Sequence, residues 1–100
     1  MDTNYLDELV KMLYRYTNNI FRYKVNIEID QVYIYPRSIN YSKRTLEALS
    51  NVKDLFEKTL NKEIKRVQNQ LILNLQDVID LYTIFRIQNK IYVQRSTIYG

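Results

Sequence analysis

The sequence predicts an α+β domain in which a long amphipathic helix and one or two shorter helices pack on a small antiparallel sheet. Three observations support this fold class. Apolar residues recur three or four positions apart near the N-terminus, alternate with polar residues over 21–35, and return to the helical spacing from residue 43 onward. Helices that alternate with short strands satisfy this order when they cover one face of the sheet. At 100 residues the chain fits a single domain, 1–100.

The first predicted element is an amphipathic helix. Thr3 or Asn4 supplies a capping oxygen, and Thr17 with the two asparagines that follow it ends the helix. The apolar stripe consists of Leu6, Leu9, Val10 and Leu13.

The second predicted element is a strand. From Phe21 to Ile29 apolar and polar residues alternate, as in a strand with one buried face. From Val32 to Tyr35 both faces are apolar. We expect one long, bulged strand; a bend at Asp30 and Gln31 is the alternative.

The third element is the predicted long helix. No Gly or Pro occurs between Lys43 and Phe85, and Asn40 or Ser42 can cap the helix. The spacing predicts a helix over 43–70 and a shorter one over 75–83, where Asn74 and Asp77 resemble a new N-terminus. Continuation of one helix through residue 74 is the alternative. Near the C-terminus, the β-rich runs 84–87 and 91–94 predict a hairpin.

The composition argues against most enzyme classes. The chain has no His and no Cys, and its one Gly is the terminal residue. General acid–base and thiol chemistry therefore have few side chains available, and no glycine-rich loop can hold a phosphate. We expect a non-enzymatic protein with no cofactor, no metal and no small-molecule substrate.

Self-association is the leading functional prediction. A helix of 28 residues is about 42 Å long, which exceeds the width of a compact domain of this size. We therefore expect a binding or assembly protein that acts through the long helix and a Tyr-rich sheet as a homodimer. The residues predicted to form the interface are Leu49, Val52, Phe56, Leu60, Ile64, Val67 and Leu71.

The alternative is a nucleic-acid-binding protein without sequence preference. Most of the net charge of +4 comes from residues 43–69. Their basic side chains can follow a phosphate backbone: Lys43, Arg44, Lys53, Lys58, Lys62, Lys65 and Arg66. Basic and aromatic residues at the strand ends can add stacking platforms for single strands. These are Arg22, Tyr23, Lys24, Tyr33, Tyr35, Arg37, Arg86, Lys90, Tyr92 and Arg95.

A third possibility is a carboxylate- and Mg²⁺-dependent nuclease. The segment Glu63-Ile64-Lys65 matches half of a nuclease signature, but residues two apart in a helix point about 200° apart. Two pairs of acids, Glu28 with Asp30 and Asp77 with Asp80, can each offer oxygen ligands on one face.

The sequence also predicts a location. Acids near the N-terminus do not fit a signal peptide, and no apolar run reaches the roughly 20 residues that span a bilayer. We therefore expect an intracellular, cytoplasmic protein.

The composition carries one resemblance. The chain is rich in Ile, Asn, Tyr and Lys, as in residues 18–24 and in Tyr33-Ile34-Tyr35. It resembles small orphan proteins of filamentous and rod-shaped viruses that infect hyperthermophilic archaea. The resemblance is compositional and involves no motif. It implies a viral protein that acts in the infected cell or in the virion and is stable to heat and acid, and it assigns no site residue.

Overall fold

Three helices pack on one four-stranded antiparallel sheet, which confirms the α+β fold class. The computed structural model describes residues 4–38, 40 and 42–99, with side chains as far as Gln88. In chain order the elements are α1 (Asn4–Thr17), β1 (Phe21–Asn26), a short 3-10 helix (Ile27–Ile29), β2 (Gln31–Pro36), α2 (Lys43–Leu60), β3 (Lys65–Val67), β4 (Gln70–Leu73) and α3 (Leu75–Tyr99).

The sheet is built from two hairpins placed side by side. Its strand order is β1-β2-β4-β3, and each neighbouring pair is antiparallel. Helix α1 precedes the first hairpin and α2 precedes the second, so the connectivity of one helix and one hairpin occurs twice. The sequence shows no repeat that predicts this arrangement.

One face of the sheet forms the core with the helices. Its buried strand residues are Phe21, Val32, Ile34, Leu71 and Leu73. The helices contribute Leu6, Leu9, Leu13, Ala48, Leu49, Val52, Phe56, Val78, Leu81 and Phe85. Because all these residues belong to one cluster, the described parts of the helices lie on the same, inner side of the sheet.

Helix α1 forms where it is predicted, but Asn4 is its first helical residue and not its cap, and the predicted cap Thr3 lies outside the described residues. The helix begins at Asn4, ends at Thr17, and buries Leu6, Leu9 and Leu13. Asn18 follows with a φ of 58°, a backbone conformation that asparagine tolerates better than most residues, and this stops the helix.

The prediction of one long strand over 21–35 is wrong. Asp30 has a φ of 51°, and the chain reverses there after the 3-10 helix, so that Asn26 pairs with Gln31. Asp30 therefore turns the chain back into a hairpin, which goes beyond the bend that we considered.

The prediction of a helix over 43–70 is also wrong. Helix α2 begins after Ser42, whose side chain accepts a hydrogen bond from the Thr45 N–H, but it ends at Leu60 after 18 residues. Asn61 has a φ of 53°, and the cap N–H donates to the carbonyl of Glu57. Asparagine in this conformation is a common helix stop.

The predicted self-association stripe is consequently not a surface. Leu49, Val52, Phe56, Ile64 and Leu71 are buried in the core of a single chain. Leu60 packs against that core, and Val67 lies on the opposite face of the sheet, 46% exposed. The apolar spacing that indicates one helix belongs here to a helix, a turn and two strands.

The predicted C-terminal hairpin is wrong as well. Helix α3 begins at Leu75, as predicted for the second helix, but continues through 84–87 and 91–94 to Tyr99. Its start is capped reciprocally: Asn74 Oδ1 accepts from the Asp77 N–H at 2.7 Å, and Asp77 Oδ2 accepts from the Asn74 N–H at 3.2 Å. None of the helices, as far as the structure describes them, carries an apolar stretch that would cross a bilayer.

Candidate nucleic-acid interface

The second face of the sheet receives none of the buried helical residues among those whose side chains the structure describes. We call it the outer sheet face. Its position follows from strand alternation, because residues next to each buried strand residue point the other way. It consists of Arg22, Lys24, Asn26, Gln31, Tyr33, Tyr35, Lys65, Val67, Gln70 and Ile72. Three of these ten residues are basic and none is acidic, so the face is positively charged.

One row of residues crosses all four strands of the outer sheet face. Lys24 pairs with Tyr33, Tyr33 with Ile72, and Ile72 with Lys65. Neighbouring strands lie about 4.8 Å apart, so the two lysines bracket a strip about 14 Å wide. Tyr33 and Ile72 are half-buried, and both lysines are exposed. The row therefore has an apolar, partly aromatic centre with a cation at each edge.

A second aromatic position lies beside this row. Tyr35 pairs with Arg22 on the neighbouring strand. The ammonium group of Lys24 sits 5.5 Å from the centre of the Tyr35 ring, within the range of a cation–π contact. The Tyr33 hydroxyl donates to the side-chain carbonyl of Gln31. These contacts hold two tyrosines next to two basic side chains on one exposed surface.

The predicted basic flank does not form a continuous surface. Lys43 and Arg44 lie in the first turn of α2, and Lys58 lies in its last turn. Lys53 binds Glu57 at 3.0 Å, and Lys62 binds Asp77 at 2.8 Å. Arg66 donates to the Gln68 carbonyl and to Asn69. Of the seven residues, Lys65 alone reaches the outer sheet face.

The predicted stacking residues are divided between the two sides of the sheet. Arg22, Lys24, Tyr33 and Tyr35 do lie together on the outer sheet face. Tyr23 faces the helices, where its hydroxyl donates to Asp7 at 2.6 Å. Arg86, Lys90, Tyr92 and Arg95 belong to α3 and not to a strand. Gln70 and Ile72 were not predicted on this face, because Leu71 continues the helical spacing and Leu71, Ile72 and Leu73 are all apolar. Burial alternates along these residues only in the folded strand.

Three of the four carboxylates in the predicted acidic pairs accept hydrogen bonds within the protein. Glu63 lies outside any helix and Lys65 begins β3, so the helical objection to a nuclease motif does not apply. Asp77, whose side chain is buried, accepts hydrogen bonds from the Lys62 ammonium group and from the Asn74 N–H. Asp30 accepts from the Leu75 N–H at 3.0 Å, and Asp80 from the Gln76 amide at 2.9 Å. Within the described residues, no three acidic side chains come together closely enough to hold a metal ion.

Comparison of the chain with protein families, with characterised proteins and with solved structures yields no match. The outer sheet face is therefore interpreted from its own geometry and charge.

Proposed function

We propose that this protein is a non-enzymatic binding protein whose outer sheet face binds single-stranded nucleic acid. The observation that supports this most directly is the row Lys24–Tyr33–Ile72–Lys65, with Tyr35 and Arg22 beside it. Exposed aromatic rings on a four-stranded sheet are a recurrent way to stack unpaired bases. Cations at the edges of the same surface suit the phosphates that flank those bases.

The two tyrosines supply the stacking surfaces. A base that stacks on an aromatic ring contributes about 1–3 kcal/mol, as judged by alanine substitution. Tyr33 and Tyr35 are half-buried, so each ring is supported by the sheet while part of it is accessible. Because every base has a flat aromatic face, stacking of this kind tolerates different sequences.

The basic residues supply the electrostatic part of binding. Arg22, Lys24 and Lys65 are exposed and have no acidic neighbour on the outer sheet face. Three phosphate contacts give a slope of about −2 for log K against log salt with a single strand, which is about a 20-fold loss between 50 and 200 mM salt. A strong dependence of binding on salt is thus expected.

Two features favour this surface over those predicted from the sequence. Homodimer formation was expected because a helix of 28 residues needed cover, whereas α2 has 18 residues and buries its stripe internally. The basic flank of 43–69 is dispersed, and two of its lysines are bound to carboxylates. The outer sheet face combines charge and aromatic groups in one continuous area.

Fluorescence anisotropy with a labelled oligothymidine tests the proposal. Replacing both tyrosines with leucine keeps apolar bulk but removes the rings, and should weaken binding about fivefold or more per ring. Replacing both with phenylalanine keeps the rings and should retain binding. Thermal unfolding of each variant shows whether the sheet is intact.

Charge variants provide the second arm of the experiment. Arg22→Gln with Lys24→Gln should make the salt slope less negative by about 1.4. Lys11→Gln with Lys58→Gln removes the same charge from exposed positions of α1 and α2 and should change the slope little. Equal effects of the two double variants, or binding that survives loss of both rings, would contradict the proposal.

A further inference from the structure

A cleft at one end of the sheet is lined by two arginines and, among the described residues, by no acidic side chain. It lies between the C-terminal end of α1, the open end of the first hairpin and the first turn of α2. We call it the arginine cleft. It has a volume of about 510 Å³ and is lined by Tyr14, Asn18, Asn19, Ile20, Pro36, Arg37, Ser38 and Arg44. This volume is in the range of ligand-binding clefts.

The arginine cleft is continuous with the outer sheet face. Phe21 pairs with Pro36, and the Arg37 N–H donates to the Ile20 carbonyl at 2.9 Å, which extends the ladder by one residue pair. Arg37 comes directly after β2 and continues the alternate positions, Tyr33 and Tyr35, whose side chains lie on the outer sheet face. A nucleic-acid strand that passes over Tyr35 and Arg22 would reach this cleft as it leaves the sheet.

The charge at the cleft lacks compensation among the described residues. No ion pair involves Arg37 or Arg44 in the part of the chain that the structure describes. The first turn of α2 contains no acidic residue, although acids are favoured at that end of a helix, and carries Lys43 and Arg44 instead. An anion bound between the two guanidinium groups would offset this local positive charge.

The opposite end of the sheet has a different charge. The cleft there is lined by three carboxylates, Asp30, Glu63 and Asp77, against two ammonium groups, Lys62 and Lys65. It occupies the corresponding position in the second helix and hairpin, between the end of α2 and the start of α3. Its lining carries one more carboxylate than ammonium groups, so it attracts a phosphate less than the arginine cleft does. This difference in charge favours the end with the arginine cleft as the place where a bound nucleic-acid strand leaves the sheet.

We propose that the arginine cleft binds a backbone phosphate of the single strand that occupies the outer sheet face, at the point where this strand leaves the sheet. The inference rests on the proposed function, and it adds where the bound nucleic acid leaves the sheet. Guanidinium groups bind phosphate through paired N–H donors, and Tyr14 offers a ring at the wall of the same cleft.

Oligonucleotides of two lengths distinguish binding at the arginine cleft from binding at the outer sheet face. Binding of a four-nucleotide and a twelve-nucleotide oligothymidine is measured by anisotropy from 50 to 200 mM salt. For the longer strand, Arg37→Gln with Arg44→Gln should make the salt slope less negative by about 1.4, so that the wild type loses about sevenfold more affinity than the variant over this range. For the shorter strand, which is covered by the sheet, the same variant should bind like the wild type.

Two controls accompany the measurement. Lys11→Gln with Lys58→Gln removes equal charge from exposed helix positions and should leave both strands unaffected. Arg37→Lys with Arg44→Lys keeps the charge and should restore the slope. Thermal unfolding confirms that each variant is folded.

The outcomes distinguish the two proposals. If Arg37→Gln with Arg44→Gln leaves the longer strand unchanged while the tyrosine variants weaken it, the cleft is not part of the path and the sheet proposal stands. An equal loss of affinity for both oligonucleotide lengths would also overturn the proposal that the arginine cleft is a separate phosphate site. If neither strand binds to the wild type, the proposed function fails and this inference fails with it.

Discussion

The carboxylate of Glu57 accepts a hydrogen bond from the backbone N–H of Ile64 at 2.9 Å, across the turn that separates α2 from β3. The same oxygen accepts from Lys53 at 3.0 Å. Together with the positive φ of Asn61, these contacts hold the chain where it leaves the helix and enters the sheet. The Ile64 N–H lowers the pKa of Glu57 from its ordinary value, and Lys53 adds to the shift.

This relationship predicts a dependence of stability on pH. Because the folded-state pKa of Glu57 is lowered, its carboxylate contributes stability above the ordinary glutamate pKa of 4.5, and this contribution is lost as pH falls through the folded-state pKa. Glu57→Gln should therefore lower the free energy of unfolding at pH 7 and have a smaller effect at pH 3, as measured by urea denaturation. Glu47→Gln, at an exposed position of the same helix, is the control. Equal losses at both pH values would contradict the prediction.

A second prediction concerns the core position of Phe56. Its side chain is fully buried, and its ring centre lies 6.4 Å from that of Phe85. Phe56→Ala should reduce the free energy of unfolding by about 3–5 kcal/mol, because it removes apolar contacts and leaves a cavity. Leu46→Ala, at an exposed position of α2, should cost less than about 0.5 kcal/mol. An unfolding midpoint that rises with protein concentration, and loses this dependence in Phe56→Ala, would instead place Phe56 in an interface.

A third prediction concerns the cap of α3. Asn74→Ala removes the acceptor of the Asp77 N–H and should cost about 1 kcal/mol of stability. Ser42→Ala should have a similar effect on α2, where the serine oxygen accepts from Thr45. Asn51→Ala replaces an exposed asparagine inside α2 and should be neutral or slightly stabilising. Denaturant titration compares the three; a result for Asn74→Ala that matches Asn51→Ala would refute the cap.

The turn between β3 and β4 allows a stabilising substitution. Gln68 has a φ of 54°, which is unfavourable for a residue with a Cβ atom. Gln68→Gly should raise the free energy of unfolding by about 0.5–1 kcal/mol, after the higher entropy of glycine in the unfolded chain is taken into account. Gln70→Gly, two residues later in β4, should be destabilising. A loss of stability in Gln68→Gly would show that the turn gains from the glutamine side chain.

The nuclease alternative leads to a fifth prediction. Asp77 accepts from Lys62 and the Asn74 N–H, and Asp30 from the Leu75 N–H, so both carboxylates already have partners within the protein. Addition of Mg²⁺ or Mn²⁺ should therefore leave single- and double-stranded DNA uncleaved at high protein concentration. Cleavage that disappears in Asp77→Asn would contradict this.

The sequence by itself determined the elements whose signals are local. Helix α1, the Ser42 cap of α2 and the Asn74 start of α3 all depend on residues within a few positions of each other. The alternation in β1 likewise placed Arg22 and Lys24 on the face opposite Phe21. At the starts of α2 and α3 a nearby capping oxygen supported the spacing of apolar residues. In α1 and β1 the spacing itself was sufficient.

The tertiary structure decided what the spacing left ambiguous. Apolar residues three or four apart continue through 60–71, but the long helix they indicate would leave its stripe unburied. A turn at Asn61 instead lets Ile64 and Leu71 enter the same core as Phe56. Burial of apolar surface by distant segments therefore outweighed local helical periodicity. It also brought Lys65 and Ile72 beside Tyr33, a neighbourhood that depends on strand pairing across more than thirty residues of chain.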